Sequence, residues 1–236
     1  SKIGGYFIHG HKLLGSLKHF LAQSGVFMME GTEIIDVKSD GNILITSLNT
    51  QISADKIIVT TNYAVSKFRL LGFLREKVYP LETHLALTEQ LPASFLRNNN
   101  WIKATFMWDT TYTYTYFKVL EDGRMLIGGG RDIYLKKHLH EIESEKEFIQ
   151  HFYRYIVGHF PELRGIRFEH QWSGIVAESA DCFPFIGRVA NMQIYVAITD
   201  YIVHSFLSGK IITDLITKGN SEYAGLFALD RKVKRD

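Results

Sequence analysis

Residues 111–117 read Thr-Tyr-Thr-Tyr-Thr-Tyr-Phe, and this strict period of two constrains the fold more than any other stretch of the chain. Alternation over seven residues fits a strand and no helix. It sets Tyr112, Tyr114 and Tyr116 on one face and Thr111, Thr113 and Thr115 on the other. A strand with two such faces belongs to an antiparallel sheet that rests one side on a core. Glu121-Asp122-Gly123-Arg124 is a hairpin turn, with 125–127 as the return strand. Residues 83–88 alternate in the same way. The region from Val78 to Gly130 is therefore expected to form an antiparallel sheet.

The flanks have a different texture. Residues 56–61, Lys-Ile-Ile-Val-Thr-Thr, are β-branched almost throughout and predict a strand buried on both faces, as do 194–198. Residues 33–37, 43–47 and 51–52 alternate around the turn Asp40-Gly41-Asn42, and 26–29 reads as a short apolar strand. A helix is expected over 11–23, with Leu13, Leu14, Leu17, Phe20 and Leu21 at helical spacing and Gly25 as its stop. Ser144-Glu145-Lys146-Glu147 has the pattern of a capping box, opening a helix with the stripe Phe148, Ile149, Phe152, Tyr155 and Ile156 that Pro161 ends. A last helix spans 205–218, with Phe206, Leu207, Ile211, Leu215 and Ile216 inward and Gly219 closing it. Helices mixed with both strand types place the chain in the α/β (α+β) class.

A net charge of +2 with both signs interspersed gives no electrostatic case for nucleic acid. The basic cluster at 231–235 reads as a solvated tail. Cys182 is the only cysteine, so a reducing compartment, the cytoplasm, is expected. No apolar run has transmembrane length. His9-x-His11 and His138-x-His140 lack supporting ligands, so no metal is expected. The opening Ser1-Lys2-Ile3-Gly4-Gly5 reads like the middle of a longer chain.

Residues 171–188 carry Trp172-Ser173-Gly174, then Asp181, then Pro184-Phe185-Ile186-Gly187. This pattern resembles the C-terminal signature of the D-amino-acid oxidase and glycine oxidase-like family of FAD-dependent oxidoreductases. The likeness extends in order along the chain. Residues 27–34 look like the family's strand-then-E-x-T-x-V segment, which implies that Ile34 meets the adenine of FAD. Residues 54–62, Ala-Asp-Lys-Ile-Ile-Val-Thr-Thr-Asn, are similar to the strand ending near the ribose and pyrophosphate, which carries over to Thr60 and Thr61. Thr88-Glu89-Gln90-Leu91-Pro92 resembles an edge of the substrate lobe, and Asp122-Gly123-Arg124-Met125-Leu126-Ile127-Gly128-Gly129 a hairpin beside the substrate cavity. Residues 227–231 resemble the terminal F-x-x-x-R. The resemblance implies FAD as cofactor, an amine or amino acid as substrate, and hydride transfer to the flavin. It also implies a strand-to-helix turn near 181–187 with Asp181 and Gly187 at the flavin, and a flavin loop holding Tyr201, Ile202, Val203 and His204. The implied architecture is an incomplete Rossmann-like FAD lobe, 1–62 and 168–236, with an antiparallel substrate lobe, 63–167.

Two departures accompany the resemblance. The Gly-x-Gly-x-x-Gly unit that cradles the FAD pyrophosphate is not in these 236 residues. Where the family has roughly Gly-Tyr-Ser-Gly-His-Gly, this chain has Asp200-Tyr201-Ile202-Val203-His204-Ser205, and Val203 is stiff where a glycine loop bends left-handed. A catalytic chain, a non-catalytic remnant or interaction module, and one half of a heteromeric oxidase all fit these residues. An N-terminal chain carrying Gly-x-Gly-x-x-Gly, or self-association, is the expected partner. Single residues carry two readings as well. Tyr112, Tyr114 and Tyr116 line an apolar amine pocket or pack in a core. Arg131 grips a substrate carboxylate or is solvated. Trp108 and Trp172 are open in the same way, and Gly128–Gly130 lacks the spacing of a phosphate loop.

Overall fold

The alternating strands assemble into a five-stranded antiparallel sheet in a computed structural model that describes residues 9–38, 40, 43–100, 106–111, 114–129, 145–179, 181–199 and 201–233. In chain order the elements are helix α1 (Gly10–Gln23), strands β1 (Ile34–Lys38), β2 (Ile43–Thr46), β3 (Gln51–Ser53), β4 (Ile57–Val59) and β5 (Val78–Gln90) and helix α2 (Ala93–Asn98). Strands β6 (Phe106–Trp108), β7 (Thr115–Val119) and β8 (Arg124–Gly129), helix α3 (Glu145–His159) and strand β9 (Phe168–Ser179) follow. Strands β10 (Phe185–Arg188) and β11 (Ile194–Ile198) and helix α4 (Ile202–Lys218) complete the series. The large sheet has the order β6-β7-β8-β5-β9.

One face of that sheet is closed by α3. Phe148, Phe152 and Ile156 meet Ala86, Phe117, Met125 and Ile127 in one core cluster. The pleat of β7 follows from its sequence: Thr115, Phe117 and Val119 are buried, while Tyr116 and Lys118 are half-buried on the other face. The strand is shorter than the alternation predicts. It begins at Thr115, and Tyr112 and Thr113 lie outside the described residues, as do Arg131 and Ser144. Gly123, at φ +83°, makes the tight turn into β8.

Strands β1, β2 and β3 form an antiparallel meander. Strands β10, β11 and β4 form a separate sheet in which β11 runs parallel to β4 and antiparallel to β10. Ile57, Val59, Ile194, Val196 and Ile198 share a core with Leu71, Leu74 and Phe185. Three expectations are corrected here. Strand β4 is not buried on both faces: Ile57 and Val59 are buried on one, while Ile58 on the other is 50% exposed and lines a cavity, and β4 is also an edge strand among the described residues. Residues 26–29 form no strand; Val26, Phe27 and Met29 are exposed. Phe206 of α4 points outward rather than inward, at 71% exposure.

Helix α1 ends as expected. Gly25 sits at φ +80°, its N–H donates to the Ala22 carbonyl, and the Val26 N–H donates to the Leu21 carbonyl, so two terminal carbonyls are satisfied. Yet α1 has no buried residue, and Leu14 and Phe20 on its stripe are each 62% exposed. Among the described residues, no helix is long and apolar enough to cross a membrane.

Candidate functional site

Parallel strands open a crevice at their carboxyl ends, where ligands of α/β sheets bind. Here β4 and β11 end side by side, with Val59 in register with Val196, and Thr60 and Thr199 lie just beyond them. A cavity of about 440 Å³ occupies this place, lined by Ile58, Thr60, Asn62, Thr199, Ser205 and Ser208 among others. Asn62 adopts φ +54°, a conformation asparagine tolerates better than most residues, and its Oδ1 accepts the Ala177 N–H at 2.7 Å. That bond ties the end of β4 to β9 and so to the large sheet.

Helix α4 starts at the same crevice. The Thr199 hydroxyl accepts the Tyr201 N–H at 3.2 Å and the Tyr201 carbonyl accepts the His204 N–H at 3.0 Å, which fixes the entry to the helix. The crevice meets α4 along its flank, at Ser205, Ser208, Gly209, Ile212 and Thr213. The His204 ring meets Tyr201 edge-on, and its Nδ1 is buried with no hydrogen-bond partner among the described residues. Val203 lies within the helix, and the described non-glycine residues at positive φ are Asn49, Asn62, Cys182 and Ala190. The expected left-handed strain at Val203 is thus absent, because the chain is already helical where a glycine loop would bend. Asp200 lies outside the described residues.

The structure brings Thr60, Tyr201, Ile202, Val203 and His204 to one end of the β4–β11 sheet, with Thr61 between Thr60 and Asn62. It does not bring the rest. Of the expected cofactor residues only Thr60 lines the crevice itself; Thr61 and Tyr201, Ile202, Val203 and His204 lie beside it in the chain, and Ile34 packs on the core beneath β4. The segment 181–187 joins strand to strand, β9 to β10, so the expected strand-to-helix turn is corrected. Asp181 is held by Arg231, whose Nε and Nη2 reach Oδ2 and Oδ1 at 2.9 Å each. Arg231 also donates to the Pro184 and Phe183 carbonyls and stacks 3.5 Å over the Phe185 ring. Burial works to raise the Asp181 carboxyl, but the Arg231 hydrogen bonds, helped by the Phe183 N–H, hold it below the usual carboxylate range. Gly187 lines a different cavity of about 870 Å³ between β10, the turn Arg69–Leu74 and the C-terminal segment. Its edge cations are engaged with backbone, Lys77 on the Leu229 carbonyl and Arg188 on the Met192 carbonyl. The smaller crevice is the better candidate, because it lies at the carboxyl ends of parallel strands.

A second candidate surface is the open face of the large sheet. Directly paired residues share a face. Trp108 pairs with Tyr116, Tyr116 with Gly128, Gly128 with Leu85, and Leu85 with Trp172. One row thus runs across all five strands on the side away from α3. Tyr116 makes ring contacts with Phe106 at 5.5 Å and Tyr114 at 6.1 Å. Asp109 anchors this end by accepting the Thr111 hydroxyl at 2.5 Å and the Thr115 N–H at 3.1 Å. Of the four residues expected to meet substrate, Tyr114 and Tyr116 are on this cluster, while Tyr112 and Arg131 lie outside the described residues. The resemblance sets Gly128 in a hairpin beside the substrate cavity; strand register adds its place in the row beneath Tyr116.

A family model described as FAD dependent oxidoreductase matches residues 3–215. The chain is 24% identical over 185 residues to the probable oxidoreductase OrdL of Rhizobium meliloti, covering 77% of this chain and 40% of that protein. It is 25% identical over 186 residues to the gamma-glutamylputrescine oxidoreductase of Escherichia coli, covering 75% and 40%. The chain thus spans about two-fifths of the length of these curated relatives. Its fold is similar to that of glycine oxidase from Geobacillus kaustophilus, with a TM-score of 0.71 at 20% identity over 94% of this chain and 58% of that one. It is also similar to L-proline dehydrogenase from P. horikoshii, with a TM-score of 0.67 at 17% identity over 90% and 56%. With the match spanning most of its length, the chain belongs to the FAD-dependent oxidoreductase family.

Proposed function

We propose that this chain supplies the flavin-facing and substrate-facing half of an oxidoreductase that oxidises the C–N bond of an amine or amino acid. The observation that carries this reading is the crevice between the carboxyl ends of β4 and β11 and the flank of α4. The residues there offer FAD the hydroxyls of Thr60, Thr199, Ser205 and Ser208 and the side chain of Asn62, and the buried His204 Nδ1, which lacks a described partner, lies next along the chain. Bound FAD would supply the acceptor for the hydride that leaves the substrate carbon.

Residues 1–62 and 168–236 make up the cofactor lobe of this proposal, and 63–167 the substrate lobe. Thr60, Thr61 and the segment Tyr201-Ile202-Val203-His204 hold the cofactor, with Ile34 beneath its adenine end. Tyr114 and Tyr116, with Tyr112 and Arg131, face the substrate, orient its amine and exclude water. Asp181 and Gly187 act at a distance, shaping the passage from β9 to β10. A Gly-x-Gly-x-x-Gly unit, on the same protein or a separate chain, completes the site by pairing with the open edge of β4. The unpaired edge of β4 and the exposed stripe of α1 support this, since unpaired strand edges and contiguous apolar patches mark contact surfaces.

The alternative of a remnant without flavin draws on one observation: Val203 and Phe206 put bulky exposed side chains at the start of α4. Anaerobic addition of amines and amino acids to the FAD-loaded protein separates the two. Bleaching of the flavin absorbance by a primary or secondary amine is expected. Failure to take up FAD at all, or retention of oxidised flavin against every amine tested, would favour the remnant.

A further inference from the structure

Tyr116 owes its position to a missing side chain. A Cβ built on Gly128 would lie 2.7 Å from both Cζ and Oη of Tyr116, so the phenol ring rests on the bare backbone of β8. Phe106 and Tyr114 flank the ring and fix its tilt. Next in the same row come Leu85 on β5 and Trp172 on β9, the latter 45% exposed. Two interstrand steps, about 10 Å, separate the strand beneath the phenol from the strand that carries the indole. On the open face the register therefore sets the aliphatic side chain of Leu85 between the phenol and the indole.

We infer that this row of Tyr116, Leu85 and Trp172 sets substrate choice: it takes amines that carry an aryl or bulky apolar substituent, and Gly128 shapes it by letting Tyr116 lie flat. The inference rests on the oxidoreductase reading above and deepens it. Leu85 offers the substituent no hydrogen bond, and the ring faces of Tyr116 and Trp172 favour an aryl group or the edge of an ammonium. A small amine would leave the same apolar surfaces wet. Tyr116 and Trp172 are positioned to meet the substituent; Gly128 acts only through Tyr116.

The neighbouring glycine makes a control. A Cβ on Gly129 would meet the backbone carbonyl oxygen of Tyr114 at 2.3 Å, so substitution there disturbs the sheet itself. At Gly128 the obstacle is the far end of one side chain, which swings aside. Gly128→Ala should keep the fold and lift the phenol off β8, changing the surface that the substituent meets.

The test measures binding of benzylamine and methylamine by quenching of tryptophan fluorescence, with Trp172→Phe identifying the reporter. Flavin reduction by the same two amines is followed in the FAD-loaded protein. Benzylamine should bind at least about tenfold more tightly than methylamine, and Gly128→Ala should remove that preference without lowering the melting temperature. Should Gly128→Ala fail to fold, Tyr116→Ala serves instead and should shift preference toward still bulkier amines. Equal binding of the two amines, or a preference unchanged in both variants, overturns the inference. Loss of flavin reduction with the quenching preference intact counts against the oxidoreductase reading alone.

Discussion

Helices α1 and α3 are of nearly equal length, fourteen and fifteen residues, and each carries an apolar stripe, yet they end in opposite environments. On α3, Phe148, Phe152 and Ile156 are buried against the large sheet. On α1, Leu14, Leu17 and Phe20 are exposed, and no residue is buried. Amphipathic spacing states that a face needs cover; it does not state what supplies it. Around α3 the chain brings its own cover, a sheet whose strands lie within the described residues. Around α1 and along β4 the cover is absent from the described residues, which is why the proposal assigns it to a Gly-rich unit.

The largest expected effect tests the closed side of this contrast. Phe152→Ala should cost about 3–5 kcal/mol in chemical denaturation, because the ring is fully buried between α3 and the sheet. A cost under 1 kcal/mol would mean that this core is loosely packed. Gly129→Ala is next. Its φ of +106° and the close Tyr114 carbonyl predict a loss of about 3 kcal/mol, read from the same denaturation curves.

The junction between the two regions gives a third prediction. Removing the Arg231 clamp with Arg231→Met should cost about 2 kcal/mol, since Asp181 would lose its partner while the Phe183 and Pro184 carbonyls lost their donor. The pH dependence follows from the sign of the shift. Asp181 has a folded pKa below its unfolded value near 3.8, so the clamp contributes fully above that value. Its contribution fades as pH falls from there through the folded pKa. The gap in stability between the parent and Arg231→Met should therefore narrow in acid below about pH 4; a gap that widened would contradict the assignment.

The smallest effects fall on the open side. Phe20→Ala should change the stability of the chain by no more than about 0.5 kcal/mol, because little contact is lost. Ile58→Lys should likewise leave the melting temperature unchanged, while weakening association with any unit that adds to β4, as sedimentation would show. A large loss of stability in either variant would show that these faces are already covered by the chain itself.

The sequence was legible where local pattern decides. The pleat of β7, the turn at Gly123, the stops at Gly25 and Gly219 and the apolar stripe of α3 all depend on residues close in sequence. It misled where the partner is remote. Residues 56–61 looked buried on both faces because β-branched composition does not reveal whether the second face is covered, and Phe206 looked inward for the same reason. Of the candidate site, the β4 and α4 segments were found through family motifs and do converge. Asp181 and Gly187 were drawn from one motif yet point to different surroundings, because a motif lists residues without saying which of them the C-terminal segment will claim. The aromatic row from Trp108 to Trp172 could not be read at all without strand register.

The most direct test of the central claim is the visible absorbance of the chain with FAD, recorded alone and with a Gly-x-Gly-x-x-Gly βαβ unit supplied by fusion or as a separate chain. A bound-flavin spectrum that forms when the unit is present, and that Ile58→Lys weakens, is the predicted result. A spectrum of free FAD in every combination would contradict the account and leave a family member that keeps the fold without the cofactor.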